Sequence, residues 1–341
     1  MRLFIGITAL LLLCFANTSF AQVGVMNLDE IQRIKDGTTY IVMKDTGSPA
    51  SQPYKDIFRK YWTISKFKFI NDTDMDNHIE LNAAFFTMHV FHPVTYHTMY
   101  TPTGYSTMHN NTAQNAAHEN MNGTTLKVTG SFLYLLLWNY DEDYFKRKKK
   151  KDPTSEDEVK IGRVDLFADY KTLVTPDSIF YYNYDWAGHI RNWGPGFLKN
   201  YLQQLMIYLN GKKEVYYEKD DFTNKSEMAH LQTATLYIPD YTLTRYDPHN
   251  GNESQKTTAL ELFKEYHFPH KLISTQELND KILNSTEPFY YLVYVKDCEN
   301  KLVTIINSQT GEIVYSNYTK YSYNIKPSDF DDLNSVVKHS K

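Results

Sequence analysis

Two stretches of the chain, Phe58 to Ile79 and Phe263 to Ile282, carry the same spacing of large apolar residues. Phe58 and Tyr61 correspond to Phe263 and Tyr266 at a shift of 205, and Ile70, Met75 and Ile79 to Ile273, Leu278 and Ile282 at a shift of 203. One two-residue gap in a loop reconciles the two shifts. An internal period of this length restricts the chain to two related units rather than one irregular domain.

Each unit reads in the same order. The first opens with the strand-like Thr39 to Met43. Tyr54, Ile57, Phe58, Tyr61 and Trp62 then share a helical face behind Pro53. Phe67 to Ile70 is a second strand, and Met75 and Ile79 mark a short helix after Asp72 and Thr73. The second unit opens with Thr235 to Ile238. Thr258 to Glu261 and Ser274 to Glu277 are capping boxes, each Ser or Thr followed three residues later by Glu. Each unit ends in a hairpin: Phe132 to Trp138 with Ile161 to Phe167, and Phe289 to Val295 with Val303 to Asn307. After the second, Gly311 turns the chain into Ile313 to Tyr315. Between the units, Pro195 and Gly196 open a helix with Leu198, Tyr201, Leu202, Leu205 and Leu209 on one face, and Asn210-Gly211 closes it.

The expected class is α/β or α+β, with two β-α-β-α-β-β units of mixed sheet and packed helices joined by a helical segment. The expected divisions are a signal peptide over 1–21, a first unit over 22–175, a helical connector over 176–230, a second unit over 231–325 and a polar tail over 326–341.

The N-terminus reads as an export leader. Arg2 is followed by an apolar run from Leu3 to Phe15, and Ser19-Phe20-Ala21 supplies a small-residue cleavage site. The run is too short to span a bilayer. Cys14 lies inside it without the small residues that precede a lipidated cysteine. Cleavage after Ala21 removes Arg2 and no acid, leaving 35 basic residues against 40 acidic ones and Cys298 as the sole cysteine. A large exported chain with no intrachain disulfide fits a bacterial envelope protein. No second long apolar run follows, so no transmembrane segment is expected after cleavage.

A net charge of −4 over 341 residues argues against nucleic acid as a partner. The basic run Lys146 to Lys151 is flanked by Asp141 to Asp143 and Glu156 to Glu158 and reads as a solvated hairpin tip. The 28 tyrosines suit strands first and binding surfaces second.

The units differ most where the first carries an insert over 80–128. It contains His89, His92, His97, His109 and His118, with Met88, Met99, Met108 and Met121. Imidazole and thioether together suit copper(I), and imidazole alone copper(II) or zinc. His89, His92, His97 and His109 are therefore candidate metal ligands. No pair has the tight Cys-x-x-Cys or His-Glu-x-x-His spacing, and a variable surface loop, with Met88 to Phe91 as a strand, is the favoured reading. The aromatic run Tyr181 to Trp186, with Trp193 beyond it, makes Tyr182, Tyr184, Trp186 and Trp193 candidate ligand-binding residues. Packing of the linker helix accounts for the same residues. No nucleophile elbow, phosphate loop or dinucleotide fingerprint occurs. Cys298, between Asp297 and Glu299, is poorly placed to ionise.

Tyr54-Lys-Asp-Ile-Phe-Arg-Lys-Tyr-Trp62, Phe289-Tyr-Tyr-Leu-Val-Tyr-Val295 and Asn307-Ser-Gln-Thr-Gly-Glu-Ile-Val314 together resemble a group of exported bacterial proteins without assigned activity. Those motifs belong to core and hairpin, and the resemblance implies no site residue. The expectation is a periplasmic or secreted, non-enzymatic binding or structural protein of the bacterial cell envelope, with another envelope protein as partner. Copper or zinc binding through the insert is the alternative, and a hydrolase with an unrecognised carboxylate site the second alternative.

Overall fold

The computed structural model describes residues 22–91, 132–147, 152–169, 172–173, 189–215, 221–247, 253–254, 257–297 and 300–341. The first sheet is built from β1 (Val23–Val25), β2 (Thr38–Met43), β3 (Lys66–Asn71), β4 (Ala83–Phe91), β5 (Phe132–Tyr140) and β6 (Glu158–Leu166), in the order β1-β6-β5-β4-β2-β3. The chain continues through β7 (Phe222–Thr223), β8 (Leu236–Pro239) and the short pair β9 (Arg245–Tyr246) and β10 (Glu253–Ser254). It then forms β11 (His270–Ile273), β12 (Tyr290–Asp297), β13 (Asn300–Asn307) and β14 (Ile313–Thr319). The second sheet has the order β11-β8-β12-β13-β14-β7.

Strand for strand, the two sheets agree in order and direction. In the first, β2 runs parallel to β3 and β4, and the pairs β4/β5, β5/β6 and β6/β1 are antiparallel. In the second, β8 runs parallel to β11 and β12, and β12/β13, β13/β14 and β14/β7 are antiparallel. They also share an irregularity. The register slips between Leu137 and Trp138 on β5, leaving Ile161 unpaired on β6, and between Ile305 and Ile306 on β13, leaving Val314 unpaired on β14. An extra residue at one point of a ladder bends and twists the strand that carries it. The content is thus mixed α/β, with two six-stranded mixed sheets and packed helices.

The helices are α1 (Ile31–Asp36), α2 (Gln52–Tyr61), α3 (Glu142–Lys146), α4 (Pro195–Gly211), α5 (Lys225–His230), α6 (Ala259–Leu262), α7 (Thr275–Asn284) and α8 (Pro327–His339). Both capping boxes form, at Thr258 with Glu261 and at Ser274 with Glu277. A 3-10 stretch, Asp72–His78, occupies the place in the first half that α7 occupies in the second.

Helix α4 is the centre of the molecule. One side lies on the first sheet, where Gly162 permits close approach: a Cβ there would sit 3.1 Å from Leu205 Cδ2. The other side meets the second sheet. Asn200 Nδ2 donates to the Ser308 carbonyl, and Asn200 Oδ1 accepts from the Tyr291 hydroxyl at 2.9 Å. Gln204 Oε1 accepts from the Ile313 N–H. Lys199 donates to the carbonyls of Ile282 and Ser308, and burial, then the charge of Lys60, draws its pKa below the ordinary lysine value. Asn279 of α7 accepts from the Gly196 N–H in the first turn of α4. One apolar core therefore runs from the first sheet through α4 into the second.

Within residues 326–341, expected as a polar tail, Pro327–His339 form helix α8. Phe330, Leu333 and Val337 recur at i, i+3 and i+7 and are buried, with Phe330 edge-on to Phe263 at 4.8 Å. Three apolar positions make an adequate stripe even among many charges. Lys301, buried in β13, pairs with Asp329 at 2.6 Å in the first turn.

Candidate functional site

The outer face of the first sheet carries a second apolar cluster, separate from the main core. Side chains alternate along a strand, so Phe85, Thr87, His89 and Phe91 of β4 point to one face. Their cross-strand partners on β5 are Trp138, Leu136, Tyr134 and Phe132. Phe85 stacks on Trp138 at 4.9 Å, His89 on Tyr134 at 5.7 Å, and Phe91 lies 5.0 Å from Phe132. From β6, the Arg163 guanidinium stands 4.6 Å from the Phe132 ring and 4.7 Å from that of Tyr134, and its Nε donates to Asp165 at 2.6 Å. His78 stacks on Tyr40 at 4.3 Å, and Tyr144 of α3 packs on Tyr140. Trp138 is 2% exposed and Phe91 43%, so the face is filled at its middle and presents aromatic surface at the end of β4.

Hydrogen bonds link three side chains across this face. The Trp138 indole N–H, which can only donate, donates to Thr87 Oγ1 at 2.9 Å. The same Thr87 hydroxyl is hydrogen-bonded to His89 Nε2. Burial, then the charge of Lys160, lowers the His89 pKa to about 4, so the ring is neutral at physiological pH.

Of the candidate metal ligands, His89 occupies this position, and His92, His97 and His109 lie outside the described residues. Among the described residues, no group of three or more His, Cys, Asp or Glu is placed to hold a metal ion. A metal at His89 Nε2 would have to displace the Thr87 hydroxyl.

Of the candidate ligand-binding residues, Trp193 is 8% exposed and stacks on Tyr54 of α2 at 5.5 Å. Tyr182, Tyr184 and Trp186 lie outside the described residues, as does Cys298. Just before Trp193 is a polar junction that the sequence did not flag. The chain beyond β6 pairs with the approach to α4: Asp169 N–H donates to the His189 carbonyl and Arg191 N–H to that of Phe167. This places His189 Nδ1 2.6 Å from Asp169 Oδ2, while Asp169 also accepts from the Thr172 N–H. Burial pushes the Asp169 carboxyl upward, but bonds from Thr172 and His189 outweigh it and hold the pKa below the ordinary value. Arg191 pairs with Glu253 of β10, tying the junction to the second half of the chain. Asp169 and His189 are twenty residues apart and match no motif, so only the ladder reveals them. A carboxylate on Nδ1 fixes the tautomer and orientation of an imidazole.

No helix among the described residues is long and apolar enough to cross a membrane. No family model matches the chain, and no curated protein or solved structure matches it.

Proposed function

We propose that the protein is an exported, non-enzymatic binding or structural protein of the bacterial cell envelope, built from two copies of one unit. The leader-like residues 1–21 support export, and the shared strand order and shared bulge support duplication. The observation that carries the binding reading is the aromatic rim of the first sheet, where half-exposed Phe91 packs on Phe132 beneath Arg163. Aromatic residues and arginine dominate the energetics of protein interfaces. The partner is another envelope protein.

The test is expression of the whole chain in a bacterial host, with fractionation and mass measurement of the N-terminus. A periplasmic or secreted product beginning at Gln22 is expected. An intact Met1 retained in the cytoplasm would overturn the reading.

Metal binding remains the second reading, favoured by the neutrality of His89, because coordination needs an unprotonated imidazole. Copper or zinc would then raise the melting temperature, by about 2.7 kcal/mol of stability at a hundredfold excess over the dissociation constant. Changing His89, His92, His97 and His109 to Ala would abolish that rise.

A further inference from the structure

The two halves act as controls for one another, and one edge differs sharply in charge. β3 and β11 are the outermost strands at equivalent ends of the two sheets. Among the described residues, no strand pairs with the outer edge of either. The segment 52–71, comprising α2 and β3, holds Lys55, Arg59, Lys60, Lys66 and Lys68 against Asp56 alone, a net of +4 in a chain of net −4. The corresponding segment 257–274 holds Lys264 and Lys271 against Glu261 and Glu265, a net of zero.

Lysines on an edge strand commonly guard it against unwanted pairing. That need applies equally to β11, which carries one lysine, Lys271, and it does not account for the three cations on α2. The basic strip is confined to this edge, because the acidic Asp72, Asp74 and Asp76 begin where β3 ends, with Asp72 paired to Lys44. β3 is also the longer template, with six residues in register on β2 against four for β11 on β8.

The cations flank the edge on both faces. Phe67 and Phe69 pack toward the main core, and Lys55 and Arg59 of α2 stand 5.8 and 5.5 Å from the Phe69 ring on that side. Ile70 belongs to the outer cluster, so by alternation exposed Lys66 and Lys68 point to the outer face. A strand added along β3 would turn successive side chains alternately toward Lys55 and Arg59 and toward Lys66 and Lys68.

We infer that the outer edge of β3, which no described strand covers, docks an extended acidic peptide segment of a partner, with backbone hydrogen bonds supplying the pairing and carboxylates on both faces of the added strand supplying the charge complement. The inference rests on the binding-protein reading and names the chemistry of a partner. Anionic lipid would use the charges without the backbone edge.

The experiment measures fluorescence anisotropy of a dye-labelled, capped glutamate-rich octapeptide with the purified chain at low and high salt. The probes beside it are a lysine-rich counterpart and the acidic peptide with alternate backbone amides N-methylated. Binding of the acidic peptide alone is expected, weakening with salt. N-methylation should weaken it at least tenfold, because it removes donors without altering charge. Lys66→Glu with Lys68→Glu should also weaken it at least tenfold, whereas Lys271→Glu on β11 should leave it unchanged. All three lysines are exposed, and an unchanged melting temperature verifies the fold of each variant. Equal binding of the N-methylated peptide, equal loss with Lys271→Glu, or binding to phosphatidylglycerol vesicles but not to the peptide would each overturn the inference. None of those results bears on export, which fractionation reads separately.

Discussion

Helix α4 follows the last strand of the first sheet as α8 follows the last strand of the second, yet the two helices meet different surroundings. Twelve of the 17 residues of α4 are buried, including Lys199, Asn200 and Gln204. Only Phe330, Leu333 and Val337 of the 13 residues of α8 are buried. Equivalent position along the chain does not mean equivalent layer. α4 has a sheet on each side and must satisfy polar groups against the second one. α8 has a sheet on one side and turns its charges outward.

The largest effect should come from truncating the shared layer. Leu205→Ala is expected to cost about 4 kcal/mol, near the upper end for a buried leucine that contacts a rigid sheet. Because one core spans both sheets, the loss should appear as a single transition, with tryptophan fluorescence and far-ultraviolet circular dichroism coinciding. Leu333→Ala in α8 should cost less, about 2–3 kcal/mol. Two separated transitions in the Leu205 variant would break the picture of one core.

Asp329→Ala comes next. It removes the partner of buried Lys301 and also the acceptor for the Lys326 N–H at the start of α8. Leaving a buried charge unpaired costs about 3 kcal/mol here, the low end of the usual range, because Lys301 keeps the Asn324 carbonyl as an acceptor. The helix start in the first half is held by the neutral Asn279, so Asn279→Ala should cost only about 1–2 kcal/mol. Denaturant titration of both variants compares the two pins. Equal losses would show that the charge at Lys301 adds nothing.

Acid should separate the halves in another way. His89 on the first sheet has a pKa lowered to about 4 from 6.5, and β12, the corresponding strand of the second sheet, carries no histidine. Below pH 6.5 the unfolded chain takes up the proton first, so stability from this group is intact above 6.5 and falls as pH drops toward 4. The loss between pH 7 and 4.5 should exceed that of His89→Gln by about 2 kcal/mol. Parallel pH profiles for the two proteins would show that the burial of His89 does not hold in solution.

What the sequence revealed follows from the range of each signal. Hairpins and capping boxes are local, and both capping boxes and the β5/β6 and β12/β13 hairpins were legible. Those two hairpins are not counterparts: β4, read as the start of an insert, is the strand that matches β12, so β5/β6 matches β13/β14. Alternation and i, i+3 spacing marked which residues are buried but not what they meet. Lys199, Asn200 and Gln204 carry no sign that their side of α4 faces a second sheet, because hydrogen bonds to Ile282, Ser308 and Ile313 close over about a hundred residues. The charges of 326–341 concealed the stripe of Phe330, Leu333 and Val337. At the candidate sites, His89 and Trp193 were singled out for chemistry that depends on neighbours outside the described residues, while the Asp169–His189 pair left no trace in residue spacing.

The smallest prediction concerns why α7 is a helix of ten residues while its counterpart in the first half is the 3-10 stretch Asp72–His78. Both follow a parallel edge strand, and both carry apolar residues at the same spacing, Leu278 and Ile282 buried in the main core, Met75 and Ile79 half-buried against the outer cluster. The caps differ. Ser274 accepts from the Glu277 N–H while Glu277 reaches back to the Ser274 N–H, satisfying two of the four donors that a helix start leaves open. Asn71, at the matching place, turns its side chain away to accept from the N–H and hydroxyl of Thr46. The first half thus uses its capping residue to hold the loop after β2, and the turn that follows tightens. Ser274→Ala should cost about 1 kcal/mol, with helical content falling by circular dichroism. Asn71→Ala should cost a similar amount without any loss of helical signal, since it releases Thr46 rather than a helix. A drop in helicity in the Asn71 variant would mean that it caps after all, and the difference between the halves would then lie in the aspartates of the turn.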